Sequence, residues 1–165
     1  MDLHLHTHRW VARSPDWTVA AIAGFGAGGV LMLLELLWMV TTQADNPWQT
    51  SRMVAAIAMG RDVLGVEGYS SGVLAVALAV HYALGIAFGI VLGALIASFH
   101  FDSSVGMALA AGAVFGLLLY VCNFYVIASA FPWLRALQGW SAAFGHLVFG
   151  MIAAYTYLKL ERPRR

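Results

Sequence analysis

Four stretches of this chain run for more than twenty residues with almost no charge, and nothing else limits its fold so tightly. Val19 to Val40 holds one charged residue, Glu35. Val73 to Ser98 and Gln138 to Leu158 each hold one histidine and no formal charge, and Ser104 to Ser129 holds neither. At about 1.5 Å per residue, each stretch can cross the ~30 Å of hydrocarbon in a bilayer as an α-helix. A helix is required because an apolar segment in lipid must satisfy its own backbone hydrogen bonds, and the alternation of a membrane β-strand is absent. The composition agrees: 61% hydrophobic and 10% charged residues, against roughly 45–50% and about 25% in soluble domains.

The expected fold is therefore an all-α membrane protein of four transmembrane helices. Residues 1–18 form a cytoplasmic N-terminal segment, 19–160 the transmembrane domain with spans at about 19–40, 73–98, 104–129 and 138–158, and 161–165 a basic tail. The first span is longer than the ~7–15 apolar residues of a signal peptide and contains Glu35, so it is read as retained. A net charge of +1 gives no electrostatic case for nucleic acid. The single cysteine, Cys122, excludes an internal disulfide and reads as a small core residue.

With four spans the termini and the middle loop share one side. That side carries Arg9, Arg13, Lys159, Arg162, Arg164 and Arg165, and the other side Arg52, Arg61 and Arg135. Six against three places both termini in the cytoplasm. Residues 41–72 form a long outer loop. Within it Thr50-Ser51 can cap a short amphipathic helix with Met53, Ile57, Gly60 and Leu64 on one face and Arg52, Arg61 and Asp62 elsewhere, which would lie along the membrane surface or fold over the outer mouth of the bundle.

The two halves resemble each other. Pro47-Trp48 and Pro132-Trp133 follow the first and third spans, and aligning them sets Gly28–Met39 against Ala113–Phe124. The second and fourth spans both read His-x-x-x-Gly, at His81 to Gly85 and His146 to Gly150. Two spans per unit predicts a parallel 2+2 repeat about an axis along the membrane normal.

Small residues spaced by four line every span: Gly24 and Gly28; Gly85, Gly89 and Gly93; Gly112 and Gly116; Gly150. Without a hydrophobic drive between helices in lipid, such stripes supply close packing. His81 and His146 lie on these stripes and should face protein. Each sits about eight residues, or about 12 Å, inside the outer end of its span, and Glu35 and Asn123 lie five and six residues before the outer ends of theirs. Glu35, His81, Asn123 and His146 thus share one depth. Ionisable groups there are costly and face partners or cavities.

Such a cluster can act in three ways. It can fix helix packing, with a proton shared between Glu35 and a histidine, which suits a non-enzymatic accessory or assembly protein. It can hold a cofactor, with His81 and His146 as axial ligands of haem b, or with Glu35 as ligands of a metal ion. It can be a proton-linked site for passage of a small solute or ion, which in so narrow a bundle would require a homo-oligomer or larger membrane complex. At the N-terminus His4, His6 and His8 could bind a divalent metal, although a flexible tail without ligation is the simpler expectation. No hydrolase, metalloprotease or phosphate-loop pattern is present, which leaves an enzymatic role unsupported without excluding it.

The paired His-x-x-x-Gly helices in so short a chain resemble those of uncharacterised four-helix inner-membrane proteins of bacteria, some of which carry sodium:proline symporter-like labels. That resemblance implies the architecture and a bacterial inner-membrane location, and no activity or site residues.

Overall fold

The computed structural model describes residues 14–42, 46 and 48–161. His4, His6 and His8 lie outside the described residues, as do Arg9, Arg13, Arg162, Arg164 and Arg165. Five α-helices carry the chain: α1 (Trp17–Thr42), α2 (Gln49–Met59), α3 (Ser71–Phe99), α4 (Val105–Ala130) and α5 (Trp140–Leu160). All but α2 are long and apolar enough to cross a membrane. Their ends fall within two residues of those expected from the apolar runs, and polar side chains cap the N-terminal ends of α1, α3 and α4. Asp16 Oδ1 accepts from Val19 N at 3.1 Å, Ser70 Oγ from Val73 N at 3.4 Å and Ser104 Oγ from Met107 N at 3.1 Å.

The spans bury small residues and expose large ones. Ala20, Ala23, Ala27, Gly85, Gly89, Gly112 and Gly150 are buried, whereas Leu33, Leu37, Leu118 and Val126 are each more than 60% exposed. In water this arrangement would be inside out; in lipid it places apolar bulk against acyl chains and lets backbones meet. The chain is a multi-pass membrane protein.

Packing follows the glycine stripes. α1 packs on α3, α4 on α5, and α1 on α5, while α3 and α4 scarcely touch. A side chain at Gly24 would collide with the Gly85 carbonyl oxygen and approach Gly89 Cα to 2.8 Å. One at Gly112 would collide with the Gly150 carbonyl oxygen and come within 2.8 Å of Ala154 Cβ, and one at Gly116 would strike the His146 carbonyl oxygen. These two seams make the contacts of α1 with α3 and of α4 with α5. At the end bearing the Phe101–Ser103 turn, Ala20, Leu92, Ile96, Ala154 and Tyr157 fill the bundle solidly. Tyr157 Oη there accepts from Asp16 N at 3.2 Å and donates to Glu161 Oε1 at 3.4 Å, tying the start of α1 to the end of α5.

The opposite end is covered by α2 and the 3-10 turn Pro132–Leu137. Two expectations for this loop need correction. The helix begins at Gln49 with Trp48 at its cap and no side-chain cap from Thr50 or Ser51. It also ends before Gly60, whose φ of 87° stops it, so Gly60 is not part of its apolar face. Nor does Arg52 lie on an outer surface. It is buried, and its guanidinium donates to Asn46 Oδ1 at 2.6 Å and to the Gly68 carbonyl at 3.4 Å, because the returning loop supplies acceptors that shield the charge. Ala55 and Ala56 pack on Val73 and Ala77 of α3, and Trp133 Nε1 donates to the Met53 carbonyl at 3.0 Å. Arg61 lies 5.5 Å from the centre of the Trp133 ring. α2 is therefore fastened across the bundle rather than lying loose on its surface.

Candidate functional site

Beneath α2 lies a cavity of about 280 Å³. It occupies the space between α3 and α4, which is open because those two helices do not pair as their neighbours do. Glu35, His81, Asn123 and His146 all line it. Thr50, Val54 and Ile57 of α2 form its cover, and Phe88, Phe124, Phe131 and Phe149 are among its apolar walls.

Local structure decides how each polar group is held. α4 departs from α-helical form at Cys122–Ile127, where it widens into a π turn. A π turn shifts the hydrogen-bond ladder by one residue, and here the Phe124 carbonyl is met instead by Gln138 Nε2 at 2.6 Å. Asn123 sits in this turn, with Nδ2 3.1 Å from His146 Nε2. His146 Nδ1 is 2.8 Å from the Ala142 carbonyl. A carbonyl can only accept, so Nδ1 carries the proton and the neutral ring offers Nε2 as an acceptor to the Asn123 amide. His146, 6% exposed, is thus satisfied at both nitrogens, with Tyr120 and Phe124 edge-on to its ring.

The first half of the chain is less complete. His81 Nε2 lies 2.8 Å from the Gly28 carbonyl and by the same logic donates to it, which leaves Nδ1 without a hydrogen-bond partner among the described residues. Glu35 is half-buried, makes no hydrogen bond with the described residues and shares the cavity wall with His81. No fully buried side-chain polar atom among the described residues lacks a partner, so the unpaired atoms of Glu35 and His81 are reachable from open space.

Contacts across the two seams also relate the halves. Gly24 meets Gly85 and Gly89 as Gly112 meets Gly150 and Ala154, and Gly28 lies by Gly85 and His81 as Gly116 lies by His146. The step that takes Gly24 to Gly112 and Gly28 to Gly116 takes Leu31 to Leu119 and Glu35 to Asn123. The Pro-Trp landmarks suggest a register three residues different, Gly28 upon Ala113, because the stretch from the glycine to the landmark is longer in the first half. Sequence landmarks outside the spans missed this correspondence of Glu35 with Asn123.

No known protein family, curated protein or solved structure matches this chain. The site must be interpreted from its own chemistry.

No three His, Cys, Asp or Glu side chains among the described residues lie close enough together to share a metal ion. For a haem, both Nε2 atoms would have to leave their present partners. A macrocycle would also have to enter a space that holds about nine water-sized groups at ~30 Å³ each. The residues present do not fit bis-histidine haem in this arrangement.

Proposed function

We propose that this chain is a non-enzymatic membrane component whose covered cavity receives a small guest within the bilayer, as an accessory or binding subunit acting alone or in a larger assembly. The observation that carries this is the unpaired Glu35 carboxyl on the cavity wall. A cluster that served packing alone would spend its donors and acceptors on itself, as Asn123, His146 and Ala142 do. Glu35 and His81 Nδ1 are held in the membrane without that return, which is the mark of groups kept for something else.

A receiving site is favoured over a through-channel. The glycine seams and the packing around Tyr157 close the bundle between the cavity and the Phe101–Ser103 turn. The cavity itself is lined mainly by apolar side chains with a few polar groups converging, which is the usual make-up of a small-molecule site. The matching seam contacts support a 2+2 repeat of two like units, of which the second keeps a closed Asn–His pair and the first keeps an open Glu–His pair.

The test is saturable binding of a small neutral probe such as propylbenzene to the full chain in nanodiscs, compared with empty nanodiscs. Saturable binding that disappears in Leu119→Trp, which fills the cavity, supports the proposal. Partition indistinguishable from lipid alone contradicts it. We also assign the chain to the bacterial inner membrane with both termini cytoplasmic, supported by the excess of Lys and Arg on the terminal side. In a Cys122→Ala background, an impermeant maleimide applied outside should label Ser70→Cys and not Ser104→Cys; the reverse would invert the topology.

A further inference from the structure

The hydrogen-bond census of the cavity specifies what kind of guest it takes. His146 has no free nitrogen. His81 gives its Nε2–H to Gly28 and keeps only Nδ1, which accepts whenever it carries no proton. Asn123 spends an amide hydrogen on His146, and its Oδ1, an acceptor, makes no hydrogen bond with the described residues. Glu35 contributes a carboxyl with no hydrogen-bond partner among the described residues. Thr50 adds a hydroxyl that can act either way. The free valences are therefore mostly acceptors, and one of them can carry a full negative charge.

Among the described residues no lysine or arginine lines the cavity, and His81, the one basic group on the wall that stays open, would have to take up a second ring proton to balance that charge. Arg52, the arginine of α2, is committed to Asn46 and Gly68. An ionised carboxylate facing a largely apolar space is unfavourable until a cation comes to it. A bare metal ion is a poor candidate, since it needs several ligands at once and the described residues do not assemble them. An organic cation meets the site better. Its charge would find Glu35, and its apolar body would lie among Phe88, Phe124 and Phe149, whose ring faces also attract positive charge.

Resting on the cavity being a guest site, we propose that its guest is a small lipophilic ammonium of about nine heavy atoms, a size set by ~30 Å³ per water-sized group. Its N–H donors engage Glu35, with His81 Nδ1 and Asn123 Oδ1 as neutral acceptors, and its hydrocarbon part is held by the phenylalanines.

Three probes of matched size separate this proposal from the one it rests on: phenethylammonium, propylbenzene and benzoate, each measured for saturable binding to the full chain in nanodiscs. The ammonium should bind about tenfold or more tightly than either of the others, the scale of one good charged contact. Glu35→Gln should bring it level with propylbenzene, while Glu35→Asp, which keeps the charge, should retain the preference. Propylbenzene binding to Glu35→Gln also shows that the variant is folded. If propylbenzene or the carboxylate binds as well as the ammonium, or if Glu35→Gln keeps the preference, the cation proposal fails and the guest site stands. If Glu35→Gln binds nothing, loss of the preference in Glu35→Asp with propylbenzene binding intact likewise overturns the proposal. If no probe binds saturably to the wild type, both fail together.

Discussion

Asn123 Nδ2 stands 3.1 Å from His146 Nε2 across the seam between α4 and α5, and this pair closes one half of the cavity wall. Glu35 and His81, which take the matching positions along α1 and α3, make no such bond; His81 turns instead to the Gly28 carbonyl. One half of the bundle is finished chemistry and the other is left available.

The closed pair should behave as a structural contact. In a double-mutant cycle of Asn123→Leu and His146→Leu, the coupling energy should be about 0.6 kcal/mol and no more than ~1.7 kcal/mol, the average and the maximum measured for interhelical hydrogen bonds in membranes. Each single substitution should lower stability, His146→Leu the more because it also abandons the Ala142 carbonyl. Reversible unfolding in mixed micelles reads both quantities.

Glu35 should behave in the opposite way. Glu35→Leu removes an ionisable group from the hydrocarbon without breaking a protein hydrogen bond, so it should raise stability by about 1–3 kcal/mol while abolishing the ammonium preference. A loss of stability on that substitution would show that the carboxyl has a structural partner.

The glycines divide by their surroundings. A methyl at Gly89 would lie 2.5 Å from Gly24 Cα and 2.6 Å from the Ala20 carbonyl oxygen, backbone that cannot yield without parting α1 from α3. Gly89→Ala should therefore cost about 1–3 kcal/mol. Gly26 has nothing within 4 Å of the same added atom. Gly26→Ala should be neutral or slightly stabilising, by up to ~1 kcal/mol from helix propensity. Equal effects at the two positions would refute the seam.

The cover depends on Trp133. Trp133→Phe deletes the bond to the Met53 carbonyl and should cost about 1 kcal/mol. Hydrogen exchange should quicken in α2 and leave α5 unchanged. If α2 is no more labile than in the wild type, it is held by its alanine contacts on α3 alone.

The spans were legible because hydrocarbon thickness sets the length of an uncharged run, and the capping residues Ser70 and Ser104 stand just before the helices they start. The common depth of Glu35, His81, Asn123 and His146 was legible by counting from span ends, and all four line the cavity. Other features had no local signal. The π turn at Cys122–Ile127 contains neither glycine nor proline, and it is completed by Gln138, which reaches it from beyond the next turn. The burial of Arg52 had no signal in the sequence, because its partners, Asn46 and the Gly68 carbonyl, come from loop geometry. Which pair of helices would stay apart was equally hidden, since every span carries a small-residue stripe and only the choice of partners opens the gap between α3 and α4.

Lipid bathes one set of side chains while Glu35 and its neighbours turn inward. Nitroxide accessibility in bilayers tests this directly, using single labels in a Cys122→Ala background at Leu31, Leu33, Leu37, Leu118 and Leu119. Leu33, Leu37 and Leu118 should be relaxed strongly by dissolved oxygen and hardly by a water-soluble nickel chelate, with Leu31 and Leu119 shielded from both. Uniform oxygen access along α1, or chelate access at Leu37 and Leu118, would contradict it.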